Sequence, residues 1–86
     1  MKVAVYDTYV TKKNGETMHF DIVVPSEEKN ENTIFNYGKE YLKIMGQEGQ
    51  PLTARESSFC HLETAKPLIE ESIRKQGYHI IEMEGC

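Results

Sequence analysis

Tryptophan is absent from this 86-residue chain, cysteine occurs twice and proline three times. Two thiols, Cys60 and Cys86, are too few for a disulfide framework and point to reduced cysteines in a cytoplasmic protein. Basic charge is also short: ten lysines and arginines face 14 acids, for a net charge of −4. The lysines are scattered, with Lys12-Lys13 in a turn and Lys39 and Lys43 on one helical face. They form no basic stripe, so nucleic acid is not expected as a partner. Long hydrophobic runs are missing too. Val3-Ala4-Val5-Tyr6 is cut off by Asp7, well short of a secretory leader, and nothing approaches the roughly 18 apolar residues of a membrane span. Neither a leader nor a membrane partner is therefore expected. The familiar catalytic signatures are lacking as well. Gly46 and Gly49 flank a polar loop with no Lys-Ser/Thr after it, and there is no Gly-x-Ser-x-Gly elbow and no Cys-x-x-Cys pair. No cofactor is expected.

What is present reads as one domain over residues 1–86. A chain of this length buries roughly 60–65% of its unfolded surface, so its large apolar residues are needed inside. At 38% hydrophobic and 28% charged residues, the composition is that of a folded protein rather than a disordered one.

Residues 2–10 are rich in β-branched and aromatic types and read as a strand. Residues 16–24 alternate, with Met18, Phe20, Ile22 and Val24 on one face and His19 and Asp21 on the other. Lys12-Lys13-Asn14-Gly15 joins them as a hairpin. A two-residue Asn14-Gly15 turn sets Asp7 beside Ile22 on the apolar side. A turn over Lys13-Asn14, with Gly15 as a left-handed bulge residue, instead sets Ala4, Tyr6, Thr8 and Val10 against Val24, Ile22, Phe20 and Met18. The hydrophobic pattern selects the second register, which pairs Tyr9 with His19 and Asp7 with Asp21.

Pro25 ends the second strand. Asn30 or Asn32 caps a helix running from about 32 to 45, whose core stripe is Ile34, Gly38, Tyr41, Leu42 and Met45, with Gly46 as its stop. A strand is expected over roughly 58–63, with 52–55 extended and an irregularity near 56–57. Pro67 opens a second helix that Gly77 ends. Tyr78 to Met83 is apolar enough on both faces to be a central strand. The order is β-β-α-β-α-β, an α/β (α+β) fold. Parallel crossovers would give a four-stranded mixed sheet with both helices on one face if they run the same way across it.

Three stretches carry a family resemblance: Val3-Ala4-Val5-Tyr6-Asp7-Thr8-Tyr9-Val10, Phe59-Cys60-His61, and Ile80-Ile81-Glu82-Met83-Glu84-Gly85-Cys86. Together they resemble a family of short bacterial proteins, the domain of unknown function numbered two thousand and twenty-four. The resemblance spans essentially the whole chain. It implies a small stand-alone α/β domain and brings no catalytic residues with it. Lys66 departs from the family pattern, in which a small capping residue such as Ser precedes the proline, and Thr64 is the alternative cap.

The chemistry concentrates in Glu56 to Glu63. Adjacent strand residues point to opposite faces, so His61 does not activate Cys60. Cys60 is expected to be buried with Leu62 and slow toward thiol reagents, and the terminal Cys86 to be reactive. His61 and Glu63 share a face and form either an ordinary surface pair or two ligands of a metal site that needs His19, Asp21 or Cys86 to complete it. Asp7 opposite Asp21 places like charges across a ladder, which is destabilising unless a cation, a shared proton or a basic group such as Arg55 compensates. The candidate binding face is therefore Asp7, Tyr9, His19, Asp21, Phe59, His61 and Glu63. It suits a binding or protein-interaction domain taking a small polar ligand, a protein partner or a second copy of the chain. The alternative is a small metal-dependent or acid–base enzyme on the same residues, for which no catalytic residue or metal ligand is assigned.

Overall fold

The computed structural model describes all 86 residues as β1 (Lys2–Thr11), β2 (Thr17–Pro25), α1 (Glu31–Ile44), β3 (Ser57–Thr64), α2 (Pro67–Gln76) and β4 (His79–Glu84). The hairpin takes the bulged register. Gly15 N–H donates to the Lys12 carbonyl at 2.9 Å, and Gly15 sits at φ +91°, a left-handed position that glycine occupies without a Cβ penalty. Val10 then pairs with Met18, Thr8 with Phe20, Asp7 with Asp21 and Tyr9 with His19.

The sheet has the order β3-β1-β2-β4 and is antiparallel throughout. Two expectations change here. β2 and β3 both run antiparallel to β1, so the α1 connection does join strands of like direction, but β1 lies between them and no parallel ladder forms. β4 is an outer strand, and the hairpin strands β1 and β2 hold the centre. The mixed sheet is thus corrected to an antiparallel one.

The helices also lie on opposite faces rather than one. α1 carries the chain from β2 to the β3 edge, and α2 carries it back across to β4. Ile34, Tyr41 and Leu42 of α1 pack with Ala4, Val10, Met18, Phe20, Ile22 and Val24. Ile73 and Ile69 of α2 pack instead with Val3, Val5, Val23 and Ile81. Gly38 lets α1 approach the sheet, because a Cβ there would sit 2.5 Å from Leu52 and 2.8 Å from Ile22. On the same side Tyr37 stacks on Tyr78 at 4.6 Å.

Both outer strands carry an extra residue. In β3 the pairing jumps from Val5–His61 to Tyr6–Phe59, leaving Cys60 as the bulge. In β4 it jumps from Phe20–Glu82 to His19–Glu84, leaving Met83. Residues 53–56 bend and turn where 52–55 are expected to be extended, closed by the Ser57 N–H on the Thr53 carbonyl at 3.0 Å.

Asn30 caps α1 by accepting from the Thr33 N–H at 3.2 Å. α2 has no such cap: Lys66 occupies the position, makes no side-chain bond, and Thr64 belongs to β3. Lys66→Ser is therefore expected to stabilise the domain by about 0.5–1 kcal/mol. The check is a higher urea midpoint with an unchanged slope.

Candidate functional site

α2 is ten residues long and lies across the end of the sheet that holds Val3 and Val23. The rest of that face, toward the hairpin turn, has no helix over it. The side chains that alternate out of β1 and β2 there are Asp7, Tyr9, His19 and Asp21. Their direction follows from Phe20 and Ile22, which are fully buried on the α1 side and force their neighbours the other way.

These four make one cluster. The His19 Nε2 and Asp7 Oδ1 are 2.5 Å apart, and the Tyr9 ring stacks on the imidazole at 4.1 Å and 14°. One ligand atom from each of Asp7, His19 and Asp21 falls within 4.8 Å of the others. Asp21 is only 7% exposed. Burial first, and then the hydrogen bond and charge of Asp7, push its carboxyl up from the ordinary range, while His19 and His61 pull the other way. Asp21 thus holds a proton more readily than a free aspartate does. Burial and the nearby Asp7, Asp21 and Glu84 likewise raise the Tyr9 phenol. His19, not Arg55, is the basic partner of the pair: it is the group in ion-pair reach of Asp7.

Not every expected residue joins. His61 lies on this face opposite Val5, close enough for its charge to reach Asp21, yet it pairs with Glu63 at 3.4 Å. Both side chains are about half exposed, so that pair contributes at most about 1 kcal/mol. Phe59 is on the wrong side. The Cys60 bulge reverses parity within β3, so Phe59 opposes Tyr6 on the α1 face and meets it edge-on at 5.8 Å. The same bulge leaves Cys60 exposed rather than buried, with Leu62 at 52% exposure beside it. Both free thiols are therefore expected to label rapidly in the native protein. A Cys60 protected until unfolding would contradict the bulge.

Two members were not foreseen. The bulge at Met83 brings Glu84 opposite His19, and the one at Cys60 brings Ser58 opposite Asp7. No residue type in either strand announces the extra residue, so neither neighbour was visible from parity. On the α1 side, Tyr41 donates to Glu82 at 2.5 Å, and burial and this carboxylate push the phenol far up. That bond ties β4 to α1. The Cys86 thiol donates weakly to the His19 carbonyl at 3.3 Å.

Chemically, the cluster offers one imidazole nitrogen and two carboxylates on an open surface, a set suited to a cation or to moving a proton. The groove of the domain, about 650 Å³, lies elsewhere, between α1 and the loop at Glu48–Thr53. It is on the opposite side of the sheet from Asp7.

No protein of curated function matches the chain significantly. Protein NE1680 of Nitrosomonas europaea, solved by NMR, is 40% identical, with a TM-score of 0.86 over 100% of this chain and 99% of that one. The family model described as "Domain of unknown function (DUF2024)" matches residues 1–83, so the chain belongs to the DUF2024 family.

Proposed function

We propose that this domain is a small binding module whose site is the uncovered end of the α2-bearing sheet face, and that it recognises a positively charged group. The observation that carries this reading is Asp21. It is nearly buried and faces a second carboxylate, with His19 as the one basic side chain of the cluster. Like charges opposed across a ladder lower stability, and a binding partner of opposite charge offsets that cost. Tyr9, half exposed and stacked on His19, adds an aromatic wall against which a cation packs favourably. The flat setting supports binding over catalysis: an enzyme site gains from a water-excluding cavity, and the groove lies on the other face.

The test is a titration of the labelled protein with small amines and guanidinium compounds, followed by amide shifts. The expected result is movement confined to Tyr9, His19, Asp21, Ser58 and Glu84, abolished in Asp7→Asn. No shifts with any cation would refute the reading. The His19–Asp7 bond is also the arrangement of an acid–base pair, which favours the second reading of a small hydrolytic or proton-transfer enzyme. Turnover of ester or phosphoester probes that is lost in His19→Gln would establish that alternative.

A further inference from the structure

Resting on the same site, we propose that Asp7, His19 and Asp21 bind one divalent first-row transition-metal ion of the zinc or manganese class. Three features point there. The first is the donor set. Calcium and magnesium prefer oxygen ligands alone, whereas one imidazole with two carboxylates suits zinc and manganese. The second is geometry. The three ligand atoms already lie within 4.8 Å of one another. Ligands at about 2.0–2.1 Å from a tetrahedral ion are about 3.3 Å apart. The His19–Asp7 contact at 2.5 Å therefore has to open by roughly 0.8 Å, within the range of a side-chain adjustment.

The third feature is independent of the clustering. Asp21 is more than nine-tenths buried, yet no N–H group of the protein donates to it: its one hydrogen-bond neighbour is the Asp7 carboxyl, and the His19 ring bonds to Asp7. Buried carboxylates ordinarily receive donors. Here the three side chains converge, and an ion would serve as the partner of the Asp21 oxygens, which are not closed off from solvent. Three protein ligands leave further positions on the metal for water or for a bound group, on the solvent side of the sheet. Tyr9, packed flat on His19, holds the imidazole plane and so acts as a positioning residue.

The measurement is equilibrium dialysis of the full chain against zinc, manganese, magnesium and calcium chlorides, with amide spectra recorded alongside. Saturable binding of one zinc or manganese ion per chain is expected, with magnesium and calcium weaker by at least about tenfold. Manganese should broaden the signals of Tyr9, Ser58 and Glu84 more strongly than those of α1, which lies beyond the sheet. Asp21→Asn and His19→Gln, each checked as folded by its spectrum, should weaken binding by at least about tenfold. Cys86→Ser serves as the control, because its thiol lies near the His19 carbonyl and a thiolate is itself a zinc ligand. No saturable binding of zinc or manganese overturns the proposal, as does binding that survives Asp21→Asn or disappears in Cys86→Ser. If organic cations still shift Tyr9 and His19 while the metals do not bind, the metal assignment fails and the binding-face reading stands. If neither binds, both fall.

Discussion

Phe20→Ala is expected to remove about 3–5 kcal/mol of stability. A domain of this length has roughly 4–13 kcal/mol to lose. Phe20 is fully buried in the larger core, pairs across the ladder with Thr8 and touches the Tyr41 ring at 4.8 Å. Its loss leaves a cavity beneath α1 that surrounding Met18 and Ile22 can only partly fill. The functional consequence is specific, because Phe20 lies between His19 and Asp21. Its burial is what drives those two side chains out on the opposite face. Chemical unfolding should show the drop in midpoint, and amide exchange should rise first in β2. A midpoint within about 1 kcal/mol of the parent would mean that Phe20 is not the anchor of that strand.

Asp21→Asn should move in the other direction, raising stability at neutral pH by about 1 kcal/mol. The folded protein holds the Asp21 proton more tightly than the unfolded chain does, because burial and Asp7 raise the carboxyl. The stability linked to that proton is complete below the ordinary aspartate range and is lost as pH rises through the raised folded value. At neutral pH the parent therefore carries the repulsion that the asparagine lacks. The gap between the two proteins should narrow as pH falls from neutral toward about 4. Parallel urea curves at several pH values measure it directly. A gap that widens on acidification would show that Asp21 is held as a stabilised carboxylate instead. Cation binding should weaken in the same variant, so stability and binding move oppositely at one residue.

Much of this site was legible in the hairpin. The parity of Met18, Phe20, Ile22 and Val24 and the glycine after Asn14 select a single register, and from it Asp7–Asp21 and Tyr9–His19 follow as neighbours. Period-two patterning is a strong signal wherever one face is buried and the strand is regular. β3 lacks both conditions. It is an outer strand, most of its side chains are exposed, and Cys60 interrupts its parity. Regular parity therefore predicts the wrong face for Phe59 and a core position for Cys60. Glu84 was hidden by the same kind of irregularity at Met83. The placement of the helices depended on strand order, which residue pattern does not specify. Only the return of α2 across the sheet puts it opposite α1.

The bulges in β3 and β4 also bear on how molecules meet one another. A regular outer strand offers evenly spaced donors and acceptors, a template on which a second chain can add and a third follow. Here each border has one residue out of step, at Cys60 and at Met83, and a straight incoming strand cannot match the spacing on both sides of the interruption. Phe59 and Leu62, both about half exposed on one border, are the apolar side chains that would otherwise reward such an addition. The interruption at Cys60 falls directly between them. Growth of fibrils by edge-to-edge continuation of this sheet is thereby disfavoured at both margins, while association through the faces is left unhindered.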